Sequence, residues 1–326
     1  MHMAKSPHLT NAFFFNYQVM TGKWDAGMAT HRQTPLGRGY DHFLGYFHHA
    51  NDYWDQGLPL TAVGGYDACL NRYKDLWLDN GPAVHLQGTA YEEILFTNHT
   101  LQAILSHDVS APLFLFHAFH LVHTPPQVPQ ETLDLFAYID FPQRQLYAAM
   151  VYYMDQVIGQ IVEALKQKAM YDNSLILFMS DNGGPLYNPG SASNFPLRGG
   201  KFADFEGGVR VNAFASGGVI PSDRRGKTLE SLIHIADVYA TLIGLAHGGS
   251  PGNLADIIKD VDAERAHLPP VDSMDFWPLI TGKSAPTNWK PRTEIHLSSQ
   301  ALISGQFKLL VGVRQYFFLF LACLVI

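Results

Sequence analysis

Between residues 143 and 168 apolar side chains return every three or four positions: Leu146, Met150, Tyr153, Val157, Ile161 and Leu165. That is the period of one helix face turned to a core. Pro142 precedes it, at a first turn where the missing N–H costs nothing, so the pattern predicts a long helix. A second helical pattern covers residues 232–246 and stops at Gly248-Gly249. Two short unbroken apolar runs, residues 112–117 and 174–179, are bounded by turn residues and predict buried strands. Strand, long helix, strand is the βαβ order. It predicts an α/β fold with a mainly parallel central sheet and helices on both faces. Two irregular stretches, residues 57–88 and 248–270, read as surface excursions. The second is rich in Gly, Pro and Asp and leads towards a small C-terminal subdomain.

Neither end continues these patterns. The apolar patch Ala12-Phe13-Phe14-Phe15 is too short for a signal-peptide core. Residues 316–326 are almost wholly apolar, yet shorter than the roughly 20 residues that span a bilayer. We read this tail as lying outside the pattern of the fold, and membrane association is not expected from it alone.

Composition narrows the function. The 326 residues are 47% hydrophobic and only 16% charged, which suits a large core and excludes a disordered chain. A net charge of −7, with no Lys/Arg run, lacks the electrostatic footprint of a nucleic-acid binder. Two cysteines, Cys69 and Cys323, build neither a disulfide framework nor a cysteine zinc site.

In an open parallel sheet, ligands bind beyond the carboxyl ends of the strands. After the second predicted strand stands Ser180-Asp181-Asn182-Gly183-Gly184, a pair of hard oxygen donors suited to Ca²⁺ or Mg²⁺. The same residues also suit an Asx turn with a helix cap. After the first strand comes His120-Leu121-Val122-His123-Thr124-Pro125. With His117 the spacing invites a zinc reading, but residues three apart on one strand point to opposite faces. Pro196-Leu197-Arg198-Gly199-Gly200-Lys201 and Glu206-Gly207-Gly208-Val209-Arg210 place cations between glycine pairs, where they approach an anion or pair with Glu206. Thr21-Gly22-Lys23-Trp24-Asp25 adds another Lys after Gly. Together these features describe an anion site assisted by a divalent cation, which suits phosphate or sulfate esters.

These motifs, with Arg38-Gly39-Tyr40-Asp41-His42-Phe43-Leu44-Gly45-Tyr46 and the Ile235-Ala236-Asp237-Val238-Tyr239-Ala240-Thr241-Leu242 helix after them, resemble the sulfatases, in particular the branch similar to arylsulfatase B (N-acetylgalactosamine-4-sulfatase). The resemblance runs from Val19 to Arg314. It implies an alkaline-phosphatase-like α/β sandwich and a calcium-dependent sulfuric ester hydrolase acting on sulfated carbohydrates or aryl sulfates. By that resemblance Asp181 and Asn182 match calcium ligands. Lys201 matches the lysine on the sulfate oxygens, His123 the histidine at the leaving-group oxygen, and Lys23 the lysine near nucleophile and sulfate. A lysosomal or secreted location is implied, where Asn98-His99-Thr100 is an acceptor sequon. All five site residues are expected to converge at one sheet edge.

Two departures stand out. The family's nucleophile is a formylglycine made from a C/S-x-P-x-R motif, which residues 1–326 do not contain, and the family's first Asp-Asp metal pair is also missing. Asp25 stands where the family has His. The expected organisation is an unmatched segment 1–18, a sulfatase catalytic domain lacking its N-terminal part at 19–250, a linker and subdomain start at 251–314, and the apolar tail 315–326. The corresponding reading is a sulfatase truncated at both ends and inactive alone. Its alternative is a non-catalytic relative that binds sulfated glycans. A phosphoesterase of the same superfold would need a Ser or Thr nucleophile beside a metal carboxylate, and no such pair is evident.

Overall fold

The computed structural model describes residues 17–57, 73–187, 189–246, 261, 263–282 and 289–311. The Ala12–Phe15 patch, Cys69, Gly248-Gly249, Cys323 and the 316–326 tail lie outside them. The chain divides into two compact units. The first takes Met1–Asp172 and Gly184–Asn194, the second Asn173–Gly183 and Phe195–Ile326.

Unit 1 is built on a five-stranded mixed sheet. Its strands are β1 (Tyr17–Lys23), β2 (His42–Tyr46), β3 (Trp77–Leu78), β4 (Gly81–Pro82) and β5 (Leu113–Ala118), in the order β4-β3-β2-β1-β5. β1 pairs in parallel with β2 on one side and β5 on the other, while β3 and β4 add antiparallel pairings beyond β2. Val19, Met20 and Thr21 are all fully buried, because a central parallel strand is covered on both faces and loses the usual in–out alternation. Gly22, the last residue but one of this strand, lies at φ +96°, and a Cβ there would stand 1.9 Å from the Ala118 carbonyl oxygen. Only glycine permits so close an approach of β1 to β5.

Helix α1 (Glu92–Ser106) lies against β1 and β2 and also against α3 (Pro142–Gln167), which packs on α2 (Gln130–Asp134). α3 is the long helix expected from the sequence, with Pro142 in its first turn and Met150, Val157 and Leu165 buried. Met150 and Ala149 join Tyr53, Tyr91, Leu121 and Val128 in one core cluster. Phe96 of α1 joins Leu44, Tyr46, Leu76 and Ala83 in another. Each such large apolar side chain contributes on the order of 1.5–3 kcal/mol by leaving water.

In unit 2, β6 (Ile176–Met179) pairs antiparallel with β7 (Ala213–Ser216). A three-stranded antiparallel meander follows, β8 (Glu294–Ser298), β9 (Ala301–Ser304) and β10 (Phe307–Leu310). Its core joins Ile220, Phe276 and Ile280 to Leu175, Leu177 and Ala215.

Both apolar runs are therefore strands. β5 pairs in parallel with β1 as the βαβ order predicts, whereas β6 pairs antiparallel with β7, each with a partner remote in sequence. The second helix is shorter than its pattern: α4 spans Asp237–Ala246. Its start is set by Asp237, whose carboxylate accepts from the His234 N–H at 2.8 Å and pairs with Arg292. Leu232 meanwhile forms an isolated bridge with Arg292, which keeps the segment before the helix extended.

Two histidines of unit 1 rest on threonines. His99 Nδ1 lies 2.8 Å from Thr21 Oγ1, and His117 Nδ1 lies 2.8 Å from Thr100 Oγ1, with His117 Nε2 buried and unpartnered. Burial drives their imidazoles down, His99 to about 4 and His117 to about 3, with His99 adding to the effect on His117. A folded pKa below the unfolded value means the fold favours neutral imidazole. Stability is therefore fully present above about pH 6.5 and lost as pH falls towards 3. The unfolding free energy of the wild type relative to His117→Gln should fall by about 1.4 kcal/mol per pH unit across that window. Urea denaturation at several pH values checks this, and a gap that does not change with pH contradicts it.

Candidate functional site

In unit 1 the carboxyl ends of the parallel strands carry Lys23 and lead into the turn that bears His123. Lys23 is the last residue of β1 and stands in register with Tyr46, the last of β2. Its ammonium group lies 3.4 Å from the Asp25 carboxylate. Asp25 thus forms an ion pair with Lys23 and takes up part of its charge.

Beyond β5 the chain turns through His120–Pro125. His123 Nδ1 lies 2.7 Å from the Thr124 carbonyl oxygen, which can only accept, so Nδ1 carries the proton. Any proton exchanged with a ligand is then handled at Nε2. The Tyr53 hydroxyl donates to the His123 carbonyl at 3.0 Å, and the Tyr53 ring stacks on His120 with centroids 3.9 Å apart. The rings of His120 and His123 are themselves 5.9 Å apart.

Sequence reasoning missed what supports this turn. Glu92 and Glu93, at the first turn of α1, are both fully buried. Glu93 Oε1 accepts the backbone N–H groups of His120 and Leu121, at 3.0 and 3.1 Å. Glu92 accepts from Asn51 Nδ2 at 3.0 Å and meets His120 Nδ1 at 2.8 Å. Burial raises Glu93 to about 8 and Glu92 well above its ordinary range, and it lowers His120 to about 3, helped by the charge of Lys23. The Glu92–His120 pair is thus driven towards its neutral form. The one sequence signal was two adjacent carboxylates, Glu92-Glu93, directly after Tyr91.

Unit 2 carries Asp181, Asn182 and Lys201. After β6, Ser180 Oγ donates to the Asn182 carbonyl at 2.9 Å, and the Asn182 amide donates to the Gly183 carbonyl at 3.1 Å. This is a turn with no helix after it, so the helix-cap alternative does not apply. The turn is fastened to the glycine loop that holds Lys201. Gly183 N–H donates to the Gly208 carbonyl at 2.8 Å, and Gly207 N–H to the Arg198 carbonyl at 2.7 Å. A Cβ on Gly183 would stand 1.8 Å from the Gly207 carbonyl oxygen. The Asp181-Asn182 turn and the Lys201 loop are therefore joined by a backbone contact that only glycine allows.

The Arg–Glu pairing considered for this loop is not the one formed. Glu206 accepts from Lys308 Nζ at 2.7 Å, while the Arg198 guanidinium sits 4.2 Å from the centroid of the Phe205 ring. The three histidines considered for zinc engage separate partners, Thr100, Glu92 and the Thr124 carbonyl. Among the described residues no group of three or more His, Cys, Asp or Glu is placed to hold a metal ion. Ca²⁺ usually takes 6–8 oxygen ligands, so Asp181 and Asn182 meet only part of such a shell. No helix among the described residues is long and apolar enough to cross a membrane.

An α/β fold with cations and hard oxygen donors on loops after its strands defines the class, and sequence comparison agrees. The sulfatase family profile matches residues 15–249, and the chain belongs to the sulfatase family. It is 35% identical over 263 residues to arylsulfatase J of Mus musculus, across 80% of this chain and 40% of that protein. To N-acetylgalactosamine-6-sulfatase of Homo sapiens it is 29% identical over 243 residues, 72% of this chain and 43% of the other. These relatives are close, within the family, to the arylsulfatase B-like branch that the motifs resemble. The solved structure of Ps i-CgsB in complex with k-i-k-neocarrahexaose aligns with a TM-score of 0.73 at 28% identity, over 94% of this chain and 64% of that one. The putative sulfatase yidJ from Bacteroides fragilis aligns at 0.62 and 16% identity, over 92% and 66%, a likeness of fold alone. The architecture is alkaline-phosphatase-like. The chain spans about two fifths of the length of the curated relatives it matches.

The glycine contact generates a prediction. Gly183→Ala should lower the unfolding free energy by about 1–3 kcal/mol, because backbone must move to admit the methyl group. Equilibrium denaturation of the two proteins measures it. An unchanged midpoint would show that the turn and loop are not packed as described.

Proposed function

We propose that this chain is the part of a sulfatase that recognises a sulfate ester, with a sulfated sugar as its substrate class. The observation that carries the reading is the placement of Lys23 and His123 at the carboxyl edge of the parallel strands. Asp181, Asn182 and Lys201, on one glycine-braced backbone, support it. Lys23 and Lys201 neutralise charge on the sulfate oxygens, and this stabilisation grows as the S–O bond breaks and negative charge spreads. His123, oriented through Nδ1, acts at Nε2 on the leaving alcohol oxygen. Asp181 and Asn182 are calcium ligands, and the ion, when bound, supplies further positive charge. The lysosomal or secreted location implied by the family is part of the same reading, and Asn98 is exposed on α1.

The nucleophile is a separate matter. Covalent catalysis needs a positioned nucleophile, and the formylglycine motif does not occur in residues 1–326. The chain as given therefore binds sulfate esters without turning them over. This also meets the alternative of a non-catalytic glycan binder, which the replacement of the family's histidine by Asp25 favours.

Calorimetric titration with inorganic sulfate and with N-acetylgalactosamine 6-sulfate tests the reading. Both should bind, and Lys201→Ala should weaken both by about 10- to 100-fold, the worth of a charge-assisted contact. Equal binding by the variant removes Lys201 from the site. Incubation of the chain with a formylglycine-generating enzyme, calcium and an aryl sulfate should release no product, and turnover abolished by Lys201→Ala would reveal an in-chain nucleophile. Calcium itself should bind weakly, at about millimolar concentration. A tight stoichiometric isotherm would require ligands beyond Asp181 and Asn182.

A further inference from the structure

Phe202 directly follows Lys201 and is 80% exposed, the ring of a large apolar residue held out in solvent. Its backbone lies at φ +75°, in the left-handed region that residues bearing a bulky Cβ substituent rarely adopt. Both features cost stability. Exposure forgoes the burial that a phenyl ring ordinarily gains, and the backbone conformation adds strain. The conformation is imposed by the loop. Gly199 turns at φ +77°, Ala203 N–H closes on the Gly200 carbonyl at 2.9 Å, and Gly208 N–H on the Phe205 carbonyl at 2.8 Å. The ring is thus presented on a rigid frame, with the Lys201 ammonium 5.5 Å from its centroid. Arg198, the other cation of the loop, is turned onto Phe205.

We propose that Phe202 is a platform on which the sugar ring of a sulfated saccharide stacks while its sulfate meets Lys201. A pyranose has an apolar C–H face and, when sulfated, an anionic edge. An exposed phenyl face beside an ammonium group is complementary to both at once. Inorganic sulfate satisfies only the cation, and an unsulfated sugar only the ring. The platform makes Phe202 a specificity-determining residue, favouring saccharide over small alkyl sulfates. This inference rests on the sulfate-ester reading of Lys201.

Titration of Phe202→Ala with inorganic sulfate and the same 6-sulfated N-acetylgalactosamine separates the two. The sulfated sugar should bind about threefold to tenfold more weakly than to wild type, the worth of an aromatic contact, with inorganic sulfate unchanged. Phe202→Trp should retain or improve sugar binding. Phe202→Gly, which the left-handed backbone accommodates without strain, should reproduce the loss in a protein of unimpaired fold. Unchanged sugar affinity in Phe202→Ala and Phe202→Gly, or an equal loss for sugar and sulfate, overturns the platform and leaves the sulfate reading standing. Lys201→Ala without effect on inorganic sulfate overturns the sulfate reading instead.

Discussion

The turn that carries His123 depends on two carboxyl groups buried at the start of α1. A buried carboxyl without partners costs several kcal/mol, so Glu92 and Glu93 persist because each accepts hydrogen bonds, Glu92 through both oxygens and Glu93 twice through Oε1, its buried Oε2 being unpartnered. The donors are the backbone of the turn after β5, the His120 ring and the Asn51 amide. The same bonds that make the buried acids tolerable therefore fix the turn carrying His123. The N-terminus of α1 adds a favourable dipole for whatever negative charge remains. Loss of either carboxyl group would orphan buried N–H groups and release the turn.

Unit 2 solves a similar problem without side chains. There the turn bearing Asp181 and Asn182 and the loop bearing Lys201 are tied by backbone hydrogen bonds across Gly183, Gly207 and Gly208. Glycine brings carbonyl and amide groups into direct contact, leaving Asp181, Asn182 and Lys201 on a stiff frame. Lys308 on Glu206 and the Ser298 hydroxyl on Asp204, at 2.7 Å each, brace the far end of that loop. A frame of this stiffness can hold Phe202 in a backbone conformation that it would leave if it were free to do so.

The Lys23–Asp25 pair sets a local balance of charge beyond β1. A carboxylate 3.4 Å from an ammonium offsets the charge that the ammonium presents to an anion. Because the pair is partly exposed, solvent screens it, and Lys23 keeps much of its attraction for an anion.

What the sequence determined by itself was local. The 3.6-residue rhythm around Met150 and Val157 specified α3, the apolar runs specified β5 and β6, and the ordered Gly-rich motifs identified the family and singled out Lys23, His123, Asp181, Asn182 and Lys201 as candidates. Each of these signals lies within a few residues, where periodicity and backbone chemistry act. Tertiary structure decided what depends on distant partners. β1 escaped notice because a strand buried on both faces has no alternation, and half its buried residues are Thr and Gly. The pairing of β5 with β1 and of β6 with β7, the late start of α4 under Arg292, and the burial of Glu92 and Glu93 beneath His120 all join residues tens of positions apart. Hydrogen bonds and desolvation act through space, and the linear pattern of the chain does not record which groups will meet.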